Sequence, residues 1–174
     1  MKIAVYGGCF NPPHNVHINI IKYILDKGIV DKVFVVPAGN CYSKSGLVDL
    51  GHRVNMLKLC LDGVDNVSVE DIESDTNPMY TYMLLDHFKR LYPGSEIKFV
   101  MGSDNLKEIS TWTNPEYLMK TYKFIVVLRD EDDECSLKKY DPYDSVEFIK
   151  NQGNISSTSV WTGFQYEAYY GFGP

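Results

Sequence analysis

The sequence predicts an α/β fold: a doubly wound, mostly parallel sheet with helices on both of its faces. Two observations lead to this prediction. Short apolar runs alternate with stretches of helical periodicity, and no internal repeat or domain-sized change of composition interrupts the 174 residues. A chain of this length can bury a sizeable core within one domain. We therefore expect a single domain over residues 1–174, with the motifs in 1–161 and an aromatic tail over 162–174.

The apolar runs supply the candidate strands. In chain order these cover residues 2–6, 32–37, 66–70, 96–101, 122–128 and 145–149. Because helical stretches lie between them, the strands are expected to run mostly parallel, as in a Rossmann-like sheet that is covered on both faces. Ligands of such sheets bind at the carboxyl ends of the strands, which is where the motifs described below fall.

Three helices are predicted between the strands, over residues 15–27, 51–61 and 80–91. Gly28 is a suitable residue to end the first helix, and Pro93-Gly94 follows the third. Each helix has apolar residues aligned on one face. They are Ile18, Ile21 and Leu25 in the first helix, Val54, Leu57 and Leu61 in the second, and Leu84, Phe88 and Leu91 in the third.

Composition argues against several classes of protein. Hydrophobic residues make up 44% and charged residues 23% of the chain, which is ordinary for a soluble globular protein. The net charge of -6 and the lack of a Lys/Arg-rich block predict that nucleic acid is not a partner. The apolar runs are too short for a membrane span, and the N-terminus lacks a signal-peptide pattern. The scattered cysteines, with no C-x-x-C pair, predict free thiols in a reducing cytoplasm and neither a disulfide framework nor a zinc site.

Two polar segments are expected to be loops, residues 38–50 and residues 130–145. The second contains the acidic run Asp130–Glu134, which we interpret as a solvated stretch because no further metal ligands lie near it in the sequence.

The turn between the first strand and the first helix is the most informative segment. It reads Gly-Gly-Cys-Phe-Asn-Pro-Pro-His-Asn-Val-His over residues 7–17. A helix start gathers unpaired N–H groups and the positive end of the dipole, which suits an anion such as phosphate. Gly7 and Gly8 let the backbone approach that anion, and His14 and His17 project from one side of the first turn. Taken alone, the two histidines also suit a metal site or a helix cap.

Three later groups of segments extend this pattern. They are residues 36–44 with 52–56, residues 80–81 with 99–106 and Trp112, and residues 155–160. The turn itself resembles the G-x-F-x-P-x-H-x-G-H signature of nucleotidyltransferases, and all four groups in this order resemble nicotinate-nucleotide adenylyltransferase. The resemblance covers residues 1–161. It implies in-line attack of nicotinate or nicotinamide mononucleotide on the α-phosphate of ATP, with release of pyrophosphate, in NAD biosynthesis.

The resemblance also implies which residues form the site. His14, His17 and Lys44 would be catalytic, by neutralising charge on the phosphates. The residues expected to bind ATP are Gly7, Gly8, Cys9, Phe10, Gly102, Asp104, Ser156, Ser157 and Thr158. The residues expected to bind the mononucleotide are Tyr80, Thr81, Trp112 and Arg129. Trp112 would stack on the pyridine ring, and the helix-start N–H groups at Tyr80 and Thr81 would hold its carboxylate. Mg²⁺ is expected to arrive with ATP, without a metal site made by the protein, and a homo-oligomer is left open.

Some of these residues also have structural interpretations. Asp104 could cap a helix and Trp112 could belong to the core. Cys9 is expected to fill a position where the family carries a small polar residue, rather than to be a reactive thiol. Arg53 is expected to be structural, and Arg129, at the end of a strand, suits either interpretation.

The chain departs from the family pattern at two positions. Val16 stands where the family has glycine, and Trp161 stands where it has an arginine that contacts the triphosphate. Loss of such a charge-assisted contact weakens ATP binding about ten- to a hundred-fold unless Arg129 or Lys44 replaces it. Two alternatives stay open: a sister adenylyltransferase such as the pantetheine-phosphate type, and a nucleotide-binding protein that has lost catalysis.

Overall fold

The computed structural model describes residues 1–39, 46–72, 79–151 and 153. They form one sheet, whose strands are β1 (Lys2–Gly8), β2 (Lys32–Pro37), β3 (Val67–Val69), β4 (Glu96–Gly102), β5 (Lys123–Val127) and β6 (Val146–Ile149). Every neighbouring pair is parallel, and the order across the sheet is β3-β2-β1-β4-β5-β6. The predicted doubly wound α/β fold is confirmed. The assignment of all 174 residues to one domain stays a prediction.

The helices are α1 (Asn15–Asp26), α2 (Leu50–Cys60), α3 (Thr81–Leu91), α4 (Ser103–Lys107), α5 (Pro115–Thr121) and α6 (Glu134–Leu137). The first three match the predicted helices to within one residue at each end. The last three are too short for a helical period to show in the sequence, and α6 lies in a segment predicted to be a loop. Two turns of 3-10 helix, Ile109–Thr111 and Lys138–Tyr140, complete the elements. None of the helices described here is long and apolar enough to cross a membrane.

Apolar side chains cover both faces of the sheet. One face packs against α3 and α5 through Phe99, Phe124, Leu85, Phe88 and Leu118. The other packs against α1 and α2 through Ala4, Ile125, Ile21, Ile24 and Leu57. The predicted apolar face of α3 is wrong at one position: Leu91, the last residue of the helix, is exposed, and Leu85 is buried in that layer instead.

The parallel strands place all their carboxyl ends along one edge of the sheet. Gly8 ends β1 beside Pro37 of β2, and Gly102 ends β4 beside Val127 of β5. The strand order reverses between β1 and β4, since β2 and β3 lie to one side and β5 and β6 to the other. Doubly wound sheets open a crevice at such a point. Here the turns that follow β1 and β4 form its walls.

Candidate active site

The turn after β1 is tied to the segment before α2. The side-chain amide of Asn11 donates to the carbonyl of Gly46 and its oxygen accepts from the N–H of Val48, both at 3.0 Å. Arg53 of α2 is fully buried, and its guanidinium donates to the carbonyls of Val48 at 2.7 Å and Cys9 at 2.8 Å. Arg53 therefore has the expected structural role, because it holds the backbone on which the glycines and histidines lie.

The two histidines of the turn form a stacked pair at the start of α1. His14 is the N-cap residue, and its ring centroid lies 3.7 Å from that of His17. The backbone N–H of His14 donates to Nδ1 of His17 at 3.2 Å. Since Nδ1 of His17 accepts, the proton of the neutral ring resides on Nε2, which remains a donor. Nδ1 of His14 is buried and has no hydrogen-bond partner among the residues that the structure describes.

Both imidazoles are neutral at physiological pH in the free protein. Burial, followed by the effects of His14 and of the positive charge of Arg129, lowers the pKa of His17 to about 3. Burial and Arg129 also lower the pKa of His14. A bound phosphate would act in the opposite sense, because a nearby negative charge favours the protonated ring. The pair can thus respond to an anion by taking up a proton.

A cavity of about 350 Å³ opens in front of this pair, and we name it the histidine cavity. Its polar walls come from the turn after β1, the start of α4 and the end of β5. Its lining includes Tyr6, Gly7, Gly8, Phe10, His14, Val16, His17, Gly102, Asp104, Asn105 and Arg129. Of the predicted ATP-binding residues, Gly7, Gly8, Phe10, Gly102 and Asp104 are therefore brought together with both histidines.

Arg129 and Asp104 form an ion pair across this cavity. The Nη2 atom of Arg129 lies 3.3 Å from Oδ2 of Asp104, and both side chains are about half exposed. Exposed pairs of this kind contribute little to stability, so both groups can turn to a ligand at small cost. Arg129, which was expected to bind the mononucleotide and was also named as a replacement for the missing arginine, lines the histidine cavity.

Asp132 anchors the end of β5 and was not found by sequence reasoning. Its carboxylate accepts from the hydroxyl of Ser103, from the N–H of Arg129 at 3.1 Å and from Nζ of Lys107 at 2.6 Å. The bond from Lys107, followed by that from Ser103, holds the pKa of Asp132 below its usual range. The interpretation of the acidic run as solvated is wrong for this residue, whose side chain is 5% exposed. The sequence offered one signal for this role: Asp132 follows Arg129, the arginine at the end of the predicted strand, by three positions, which is close enough for its carboxylate to accept from the N–H of Arg129.

A second cavity, of about 540 Å³, lies on the other side of the glycine turn. We name it the tryptophan cavity, since the ring of Trp112 forms one wall in edge-to-face contact with Phe99 at 6.1 Å. Its lining is mainly apolar and includes Gly7, Gly8, Cys9, Met79, Tyr80, Thr81, Leu84, Phe99, Met101, Asn105 and Trp112. The predicted mononucleotide residues Tyr80, Thr81 and Trp112 meet here. Cys9, predicted for ATP, also lines this cavity.

The two cavities touch the same short stretch of backbone. Gly7, Gly8, Met101 and Asn105 line both. A Cβ atom at Gly7 would lie 3.0 Å from the ring of Phe99. A glycine at this position therefore avoids a close contact with that ring and leaves space where the two cavities meet. Two ligands bound side by side would meet over the glycine turn, within reach of the histidine pair.

Comparison with known proteins shows the family to which the chain belongs. A family model described as cytidylyltransferase-like matches residues 5–162. A probable nicotinate-nucleotide adenylyltransferase of Endomicrobium trichonymphae is 34% identical over 162 residues, which cover 91% of this chain and 83% of that protein. A second protein of that name, from Caldicellulosiruptor bescii, is 36% identical over 141 residues, covering 80% of this chain and 70% of the relative. The chain belongs to this family of nucleotidyltransferases, as a nicotinate-nucleotide adenylyltransferase.

A solved member of the family has the same fold. The structure of Plasmodium falciparum nicotinic acid mononucleotide adenylyltransferase complexed with NaAD superposes with a TM-score of 0.80 at 26% identity. The match covers 92% of this chain and 82% of that one. The family resemblance predicted from the four motif groups is therefore confirmed.

One of the two departures from the family pattern can be located. Val16 is 7% exposed in the wall of the histidine cavity. Its Cγ2 atom would lie 3.0 Å from a Cβ atom at Gly153, so the two positions pack closely. The other departure, Trp161, lies outside the described residues, as do the predicted site residues Lys44, Ser156, Ser157 and Thr158.

Proposed function

We propose that this protein transfers the adenylyl group of ATP to nicotinate mononucleotide, giving the dinucleotide and pyrophosphate, as a step of NAD biosynthesis. One observation carries the proposal: two cavities of different chemistry meet over Gly7 and Gly8, beside the histidine pair. The curated relatives carry the nicotinate-nucleotide adenylyltransferase name. Their names favour this activity over the pantetheine-phosphate alternative.

In this proposal the histidine cavity holds ATP. His14 and His17 donate to the phosphates, whose negative charge favours protonation of the pair, and the N–H groups at the start of α1 add the positive end of the helix dipole. Asp104 accepts from ribose hydroxyls, while Arg129 releases that carboxylate and turns to a phosphate. The reaction requires that the two substrates are held in position and that the charge on the phosphates is neutralised. It needs no nucleophilic side chain, because the attacking group is a phosphate oxygen of the mononucleotide.

The tryptophan cavity then holds the mononucleotide. Trp112 and Phe99 offer aromatic surface for the flat pyridine ring. Tyr80 is the N-cap residue of α3, an eleven-residue helix, so unpaired N–H groups face an incoming carboxylate at this end. This feature supports nicotinate over nicotinamide, because an amide gains less from the helix dipole than a carboxylate does.

Mg²⁺ is proposed to enter on the triphosphate of ATP. Among the described residues, no group of three or more His, Cys, Asp or Glu side chains could hold a metal ion. Mg²⁺ typically keeps several waters and binds phosphate oxygens with few protein ligands. The ion would neutralise charge on the leaving pyrophosphate. The protein would contribute the histidine pair and the glycine turn, which hold the phosphates that carry the ion.

Pyrophosphate release tests the proposal directly. Purified protein with ATP, Mg²⁺ and nicotinate mononucleotide should release pyrophosphate and form the dinucleotide, and nicotinamide mononucleotide should react more slowly. Pantetheine phosphate serves as the negative substrate. No release with either pyridine mononucleotide would contradict the proposal.

A catalytically inactive nucleotide-binding protein is the second candidate, motivated by Val16 and Trp161. Calorimetry would then detect ATP binding without turnover. In that case a Trp161→Arg variant should gain activity, whereas an active wild type that is unchanged by this substitution shows that another cation compensates. The homo-oligomer and the cytoplasmic location stay predictions.

A further inference from the structure

Tyr6 lines the histidine cavity and has no part in the reaction as proposed so far. Tyr6 is two residues before Gly8 on β1, on the sheet face that α1 and α2 cover. Its side chain is 8% exposed, and it belongs to the lining of the cavity. Almost the whole ring is therefore packed, and its accessible part faces the space where ATP is proposed to bind.

The ring of Tyr6 is held by packing alone. Its centroid lies 5.3 Å from that of Phe10 and 6.1 Å from that of His17, both in edge-to-face contact. The ring centroids of Phe10 and His17 are 5.0 Å apart, so the three rings form one cluster beneath the first turn of α1. Such contacts fix the orientation of an aromatic ring without using its polar end. The hydroxyl is thus pre-positioned at low entropic cost to a ligand.

No described residue forms a hydrogen bond with this hydroxyl, and among the described residues the only fully buried side-chain polar atom without a partner is Nδ1 of His14, so the hydroxyl keeps contact with the open cavity. Burial raises the pKa of Tyr6 well above its usual range, so the group stays a neutral hydroxyl that can both donate and accept. The positive charge of Arg129 lowers this pKa and the negative charge of Asp104 raises it, and both residues line the same cavity as Tyr6. A polar ligand atom on the cavity side would satisfy the hydroxyl.

We propose that Tyr6 is a binding residue for ATP, and that its hydroxyl forms a hydrogen bond with the adenosine half, which is retained in the dinucleotide. Val16, Ile20 and Val127 belong with Tyr6 to the apolar layer on this face of the sheet and also line the cavity, so this wall suits the neutral base and sugar better than the charged phosphates. A neutral hydroxyl also offers no charge to a pyrophosphate leaving group. The inference rests on the proposed function and adds one specific contact to it.

The Tyr6→Phe variant tests this contact, because phenylalanine keeps the ring and removes only the hydroxyl. Steady-state kinetics in the forward direction should show the KM for ATP raised about three- to ten-fold, as expected for one neutral hydrogen bond. In the reverse direction the KM for the dinucleotide should rise by a similar factor. The KM values for the mononucleotide and for pyrophosphate should not change, since neither contains the adenosine half.

Tyr122→Phe is the matched control. Tyr122 is also buried, but its hydroxyl donates to Asp86, and the residue lines neither cavity. Removal of the Tyr122 hydroxyl should lower the melting temperature and leave the KM for ATP unchanged. Tyr6→Phe should show the reverse pattern, with an unchanged melting temperature and a raised KM for ATP. A merely structural role for Tyr6 would make the two variants behave alike.

Two results would overturn the assignment. One is an unchanged KM for ATP in Tyr6→Phe; the other is an equal rise in the KM for ATP and for the mononucleotide. If wild-type protein showed no turnover, the proposed function would fail, and calorimetric titration of both proteins with ATP would still test the contact. Equal ATP affinity of wild type and Tyr6→Phe would then refute it.

Discussion

The two cavities on either side of the glycine turn differ in chemistry. The histidine cavity carries His14, His17, Asp104 and Arg129, whose charges or N–H groups can change partners when a ligand arrives. The tryptophan cavity is mainly apolar, with Trp112 and Phe99 held edge to face. The first acts through electrostatics and protonation, and the second through shape. Substitutions in one should therefore leave the affinity of the other largely unchanged.

The largest expected effect comes from removing the histidine pair. We expect His14→Ala and His17→Ala each to lower kcat about 10²- to 10³-fold, as loss of a donor to developing negative charge typically does. The KM for the mononucleotide should change little. His87→Ala is the control, since His87 packs on Phe88 of α3 and lines neither cavity. Full activity of a variant that carries both His14→Ala and His17→Ala would contradict both the mechanism and the division between the cavities.

The converse substitution is Trp112→Ala. Loss of a stacking surface should raise the KM for the mononucleotide about ten-fold. The KM for ATP should stay within experimental error, because Trp112 does not line the histidine cavity. Trp112→Phe keeps an aromatic face and should retain most of the affinity. A change of equal size in both KM values would show that the cavities are coupled.

The histidine cavity should also show a pH effect on stability. The pKa of His17 is lowered from 6.5 to about 3 in the folded protein, so its contribution is fully present above pH 6.5. It is lost as the pH falls towards 3, because the unfolded chain takes up a proton that the folded chain refuses, at about 1.4 kcal/mol per pH unit. Denaturant titrations between pH 7 and pH 4.5 should therefore show a shallower decline for His17→Gln than for wild type. Parallel curves would show that His17 titrates normally.

The smallest expected effect concerns Val16. Val16→Ala removes bulk from the wall of the histidine cavity, and we expect the KM for ATP to fall about three-fold, less than a methylene group contributes in a tight pocket. Gly153→Ala would place a methyl group 3.0 Å from Cγ2 of Val16 and would also strain the backbone, because Gly153 has a φ of +153° that L side chains rarely adopt. It should therefore raise the same KM and also lower the melting temperature. Combining the two substitutions should cancel only the part of the rise in KM that comes from the contact, and additive effects on KM would show that the two positions do not contact each other in solution.

Local sequence patterns were sufficient for the framework and for part of the site. The strands from β1 to β6 and the helices α1, α2 and α3 follow from apolar runs and helical periodicity. The position of His14 and His17 at a strand-to-helix turn follows from the glycines and prolines beside them. The short helices α4, α5 and α6 could not be predicted from the sequence, because a helix of four to seven residues shows too little of its period.

Which of the two cavities a side chain lines could not be predicted from local sequence patterns. Cys9, expected to bind ATP, lines the tryptophan cavity, and Arg129, expected to bind the mononucleotide, lines the histidine cavity, while the substrate that each contacts stays a prediction. Asp132 was taken for part of a solvated run, although it anchors Ser103 from 29 residues away. These outcomes depend on the direction of a side chain in three dimensions, and no periodicity along the chain records that direction.

The sequence by itself determined the order of the elements, the parallel sheet and the presence of a glycine turn with two histidines after β1. The reason is that apolar period, helix signals and glycine placement act over a few neighbouring residues. Only the tertiary structure decided how two cavities divide the crevice, how Arg53 supports the carbonyl of Cys9 from 44 residues away, and which cavity Tyr6 lines. Those features arise from packing between distant segments, which sets contacts that local preferences leave undetermined.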